Sequence, residues 1–328
     1  MAHGQQDDTD VGRSTQPDTG DRGPDRFPLG HDEAMRDADT FTVDDPRFST
    51  AAVLGTSMLS VDGPEHRRHR DPFVAAFRPG ALREHLDSFL VSECERLIAR
   101  FLARGSAELR TELAGPLAVN TIVRFLGLGG VTGDDVLEWY HHISDAITGL
   151  NLGAEPTAVQ RAAIFAIGHR VAKTTAETGA DTLVARIGAS GTLRPDELAS
   201  AVAVLMFGAI ETAEGMTANA LWHVLSHPEV PKTGTGHLSL LAANRDPETF
   251  DHPDRLDLRR PNAGRHVTFA QGPHGCLGVH MARLETTAAI NGLLRATAGR
   301  GLTLDADASD QPTGLIFRRP NAVVAHWR

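Results

Sequence analysis

From Phe27 onward, apolar positions recur every three to four residues, the period of a helix that buries one face. The spacing predicts a short helix over Pro64–Phe77 and longer ones over Ala81–Leu102 and Glu112–Leu126. The strongest segment is Pro195–His227, with Pro at the first helical position, Asp196 and Glu197 in the first turn, and Pro228 just beyond its end. A helix of that length spans roughly 50 Å. Being apolar on most sides, it is expected to run through the middle of the fold. After Leu302 the pattern alternates weakly among turn residues, which predicts short strands. The expectation is a mainly α fold with small β-sheets.

Residues 1–25 break this pattern. They hold six Asp, two Arg and almost nothing apolar, too little to offset the entropy of ordering, so they are expected to form a disordered acidic tail. That leaves 26–328 as a single domain without internal repeats. A net charge of −10 over 328 residues argues against a nucleic-acid binder. Two cysteines, Cys94 and Cys276, are too few for a disulfide framework, and the N-terminus does not read as a signal peptide. The longest apolar run, Ala201–Ile210, falls well short of the roughly 20 residues of a membrane span. A cytoplasmic protein with no membrane or nucleic-acid partner is expected.

The chemistry concentrates in Phe269-Ala-Gln-Gly-Pro-His-Gly-Cys-Leu-Gly278, which runs into the helical pattern Met281, Leu284, Ala288. Cys276 therefore stands just before a helix N-terminus, where the macrodipole and free N–H groups favour a thiolate. Gly272, Gly275 and Gly278 allow close backbone approach and amides aimed at the sulfur. Most single cysteines are merely buried structural residues. Against that reading, a chance match to Phe-x-x-Gly-x-His-x-Cys-x-Gly is on the order of one in ten thousand. The loop resembles the haem-binding signature of the cytochrome P450 family, continued by Ala282-Arg283, with Ala270 standing where the family usually has Gly.

The resemblance implies haem b (iron protoporphyrin IX) as cofactor, with Cys276 as iron ligand and Phe269, His274 and Gly278 at the haem. Gly208-Ala-Ile-Glu-Thr212 resembles the family's acid–alcohol pair, which implies Glu211 and Thr212 as catalytic proton-delivering residues. A threonine bonding back to its own helix is the plain alternative for Thr212. His66 and Arg70 stand four apart on one helix face and can reach one carboxylate; the resemblance makes that carboxylate a haem propionate. Arg67, Arg68 and His69 read as a solvated basic face. Asn244–Phe250 and His252–Asp257 resemble the family's meander, and Pro312–Arg318 its last substrate-facing hairpin.

The pattern departs from the family between the long helix and the cysteine loop. Glu-x-x-Arg occurs only at Glu33/Arg36, Glu65/Arg68 and Glu93/Arg96, all far upstream of the place where that motif braces the meander. Arg255 is expected to lack a partner. The fold implied is a P450-like one reduced by loss of the N-terminal sheet and helix and of the bracing helix region. Its function would be a haem-thiolate monooxygenase, inserting oxygen from O2 into a small lipophilic substrate of specialised metabolism with electrons from a ferredoxin-type donor. The alternatives are a haem-thiolate isomerase, dehydratase or sensor, or a haem-free helper of another enzyme. The helix flank from Met281 to Leu294 is expected to be bare, and so to self-associate or to bind a protein partner, or else to leave the protein unstable with loosely held haem.

Overall fold

A computed structural model describes residues 36, 42–177, 181–226, 244, 247, 249–253, 255, 257, 259–313 and 318–328. The acidic tail, the linker at 230–236 and positions 314–317 of the last hairpin lie outside them. Helices α1 (Ser49–Leu54), α2 (Gly63–Val74) and α3 (Pro79–Ala99) come first. Then follow strand β1 (Ser106–Glu108), a π-turn over Arg110–Ala114, and α4 (Gly115–Leu126). Next are α5 (Gly133–Asn151), α6 (Ala158–Ala176), α7 (Leu183–Ser190) and α8 (Pro195–Ser226). Helix α9 (Val279–Ala296) follows the cysteine loop, and β2 (Thr303–Leu304) and β3 (Val324–His326) close the chain. The expected fold class is met: mostly helix, with an antiparallel sheet ordered β1-β3-β2.

The helix boundaries have local causes. Thr132 with Asp135, and Thr157 with Gln160, form reciprocal capping boxes that start α5 and α6. Gly127 ends α4 at φ 72°, and a Cβ there would lie 2.4 Å from Thr182 Cβ, so this turn requires glycine. At the head of α8, Glu197 reaches back to the Arg194 N–H at 2.9 Å.

Helix α8 packs against α4, α6 and α9 and buries Leu198, Val202, Met206, Ile210 and Leu221. Among the described residues it is the one helix with the length and apolar content of a membrane span, and half of its most apolar window is buried in the protein. Helix α9 lies on α3, where a Cβ at Gly292 would stand 3.1 Å from Cys94 Cβ. Cys94 is fully buried there and burial pushes its thiol up to about 12, the profile of a structural cysteine. Met281, Ala289, Gly292 and Leu293 are buried on α9, and none of its large apolar side chains is exposed. The flank expected to be bare is thus covered in part, with Leu284, Ile290 and Leu294 half-buried.

The basic run on α2 also departs from expectation. Arg67 is exposed, but His69 is fully buried and Arg68 forks onto the buried Glu197, with Nη2 at 2.6 Å and Nη1 at 2.8 Å. Helix α2 is thus tied to the start of α8 by a bidentate, charge-assisted pair. Only Arg67 remains as a solvated cation of the three.

Candidate active site

The cysteine loop is built by backbone turns. The Ala270 N–H bonds Val267 O, the Gly275 N–H bonds Gly272 O, and the Cys276 N–H bonds Phe269 O at 2.7 Å. Gly272 has φ 70° and Ala270 φ 55°, so Ala270 carries a side chain in the left-handed region. The sequence pointed only to an added methyl group; the structure shows that the cost falls on the backbone. A Cβ on Gly275 would stand 3.3 Å from Gly272 O, and Gly278 caps α9 just past the thiol.

Cys276 is exposed to a cavity of about 840 Å³, within the range of cofactor pockets. Phe269, His274 and Gly278 share its wall, with Arg70 from α2 and with Glu211 and Thr212 from α8. His66 does not line it. It is buried behind His274, their rings 4.3 Å apart at 51°. The thiol feels three influences: burial raises its pKa, while the Gly278 N–H and the Arg70 charge lower it. Burial prevails and the thiol is pushed up, against the expectation that the helix N-terminus alone would favour a thiolate. A metal ion overrides that balance by deprotonating a coordinating thiol outright.

Around the loop, Arg70 Nη2 donates to Gly275 O, and His274 Nε2 lies 2.7 Å from Asp62 Oδ1. Asp62 in turn accepts from Thr42 Oγ1 at 2.8 Å and from the Val43 N–H at 2.9 Å. No role for Asp62 was legible beforehand; its only signal was the N-cap position before Gly63-Pro64. Arg283 lies over the Phe269 ring at 5.3 Å.

The meander is braced without a Glu-x-x-Arg partner. Arg260 donates to the carbonyls of Asp251, His252 and Arg255 and stands 5.9 Å over Phe250, and Asn262 Nδ2 bonds Thr249 O. Asn244, buried, accepts from the Val267 N–H at 2.8 Å and so holds the start of the cysteine loop. The Arg255 side chain makes no hydrogen bond or ion pair among the described residues. Of the upstream pairs, Glu65/Arg68 and Glu93/Arg96 are real ion pairs of other helices.

Across the cavity, Glu211 accepts from the Tyr140 hydroxyl on α5, and its other oxygen lies 3.5 Å from Arg319 Nη2. The Thr212 hydroxyl donates back to Gly208 O within its own helix.

These residues fit a haem. Among the described residues, no group of three or more His, Cys, Asp or Glu is placed to hold a bare metal ion, so one thiol facing a large cavity suits an iron whose other ligands come from a macrocycle. In the cavity wall, buried Arg319 Nε has no hydrogen-bond partner among the described residues, a deficit that costs stability unless an acceptor is supplied.

No family model matches the chain. Its similarity to individual proteins is extensive. It is 27% identical to cytochrome P450 107B1 of Saccharopolyspora erythraea, over 74% of this chain and 70% of that protein. It is 25% identical to the cytochrome P450 monooxygenase PikC of Streptomyces venezuelae, over 87% and 82%. The crystal structure of P450BioI, in complex with an acyl carrier protein, superposes with a TM-score of 0.74 at 22% identity, covering 90% of this chain and 89% of that one. Fold, thiol loop and relatives agree: the chain is similar to bacterial cytochrome P450s over most of its length, its site suits a haem-dependent enzyme of that kind, and it lacks the Glu-x-x-Arg segment where those proteins carry one.

Proposed function

We propose that the protein is a monooxygenase that inserts one oxygen atom of O2 into a small lipophilic substrate of specialised metabolism, with electrons from a ferredoxin-type donor. The observation that carries this reading is the shared cavity, with Cys276 on one wall and Glu211 and Thr212 on another. Haem, when bound, supplies the redox chemistry of dioxygen activation. Cys276 Sγ would be its iron ligand. Arg70 and His274 would hold its propionates, with His66 packed behind His274. Phe269 and Gly278 would border the ring on the thiol side. Residues 26–328 form the single catalytic domain in this reading.

Thr212 and Glu211 move protons. The Thr212 O–H points back to Gly208, but its oxygen keeps acceptor capacity and can receive a proton before passing on its own. Glu211 is positioned by two donors and can exchange a proton through Tyr140 or water. Val204, Leu205 and Ala209 give the cavity an apolar stretch of wall on α8, suited to a lipophilic substrate and to limiting water.

The engagement of both groups also favours a second reading, a haem-thiolate protein that does no oxygen chemistry. Reconstitution with a ferredoxin, its reductase and O2 separates the two. Substrate-coupled oxygen consumption supports the first, and haem loading without oxygen consumption by any lipophilic compound supports the second.

A further inference from the structure

The last hairpin places Arg318 and Arg319 side by side in the cavity wall. Their backbone is fixed on both sides: Asn219 Nδ2 donates to Arg318 O at 2.7 Å, and Arg319 exchanges both backbone bonds with Thr313. The Arg319 stem lies against α8 at Gly215, where a Cβ would meet Arg319 Cδ at 3.1 Å. Its guanidinium faces Glu211. Arg318 differs. Partly buried, its guanidinium makes no hydrogen bond or ion pair with any described residue.

The rest of the wall does not answer this charge. Arg70 is engaged with Gly275 O and Arg260 with three carbonyls, Glu211 is taken by Arg319 and Tyr140, and the exposed Asp257 accepts from the Arg259 N–H; Arg255, the other arginine of the wall without a partner among the described residues, is exposed, unlike Arg318. Glu285, fully buried, is pushed toward its neutral form by that burial. A part-buried guanidinium with its planar fork unused, in a cavity wall, is a site awaiting an anion of matching shape.

We propose that Arg318 is a carboxylate-binding residue of this cavity. This rests on the cavity being the haem and substrate site. The carboxylate has two sources, a haem propionate or a fatty-acid-like substrate, and both present the same planar pair of oxygens.

The test compares acid and ester forms of each probe by titration calorimetry: haem b against its dimethyl ester, and decanoate against methyl decanoate. The decanoate pair is measured with and without haem. Wild type is expected to prefer the acid in at least one pair by about tenfold, the worth of a charge-assisted contact. Arg318→Gln abolishes that preference in the decanoate pair and lowers it in the haem pair, where Arg70 and His274 remain, while ester binding is unchanged and Arg318→Lys retains part of it. Loss confined to the haem pair assigns a propionate, and loss confined to the decanoate pair assigns a substrate. Equal binding of acid and ester by wild type in both pairs overturns the proposal, whatever the variants do, as does an acid preference that is undiminished in Arg318→Gln in both pairs. Failure of wild type to bind either form of haem would count against the haem reading, and the haem-free decanoate pair would still decide the role of Arg318.

Discussion

The Tyr140 hydroxyl donates to Glu211, joining the middle of α5 to the middle of α8 beside the candidate site. Burial and the carboxylate together push the Tyr140 phenol up, so it acts as a donor and not as an anion throughout the ordinary pH range. Tyr140→Phe leaves the shape intact and frees one Glu211 oxygen. It is expected to cost about 1–2 kcal/mol in urea unfolding. If Glu211 delivers protons, the peroxide released per electron consumed changes at least about twofold, with Thr212→Ala raising it further. Wild-type peroxide yield in both variants would remove these two residues from the proton path.

Ala270 offers a test of backbone strain. Its φ of 55° costs a residue with a side chain about 1–2 kcal/mol. Ala270→Gly removes that cost but adds about 0.4–1 kcal/mol of unfolded-state entropy. The net expectation is a gain of about 0.5–1 kcal/mol, read as a higher urea midpoint. A lower midpoint would mean that the methyl group is packed usefully.

Much of the fold was legible in the sequence. Pro195, Asp196 and Glu197 announced α8, and the capping pairs Thr132/Asp135 and Thr157/Gln160 carried signals for α5 and α6 that apolar spacing alone did not resolve. The cysteine loop and the acid–alcohol pair were legible because each is contiguous. What was hidden depends on distant partners. Arg68 and His69 read as surface residues because Glu197 is 129 positions away. Tyr140 and Arg319 gave no local sign of meeting at Glu211, nor did Asn244 or Arg260 of bracing the loop. Contacts made by tertiary packing leave no periodicity behind.

The Arg68–Glu197 pair sets an acid limit. Its hydrogen bonds hold the buried Glu197 carboxyl down at about 2, below its ordinary 4.5. A depressed carboxylate contributes stability that is full above the unfolded pKa and is lost as pH falls through the folded one. Wild type should therefore lose roughly 2 kcal/mol, after solvent screening, between pH about 4.5 and about 2. Glu197→Gln should be less stable at pH 7 and show a shallower decline over that window. Parallel curves for the two proteins would show that the pair does not set it.

The meander supplies a further test. Arg260 replaces a brace with three carbonyl bonds, so Arg260→Ala should unlatch the approach to the cysteine loop. Haem release to apomyoglobin is expected to accelerate about tenfold or more, with helix content by circular dichroism unchanged. An unaltered release rate would place the brace elsewhere.

The central claim is that Cys276 ligates haem iron as a thiolate. The most direct measurement is the absorption spectrum of the reduced, carbon-monoxide-bound protein after haem loading, for wild type, Cys276→Ser and Cys94→Ser. Wild type and Cys94→Ser should share the red-shifted Soret band of a thiolate-bound carbonyl haem, and Cys276→Ser should lose it while keeping its helices. A haem-loaded wild type without that band, or a Cys276→Ser protein that retains it, would contradict the assignment.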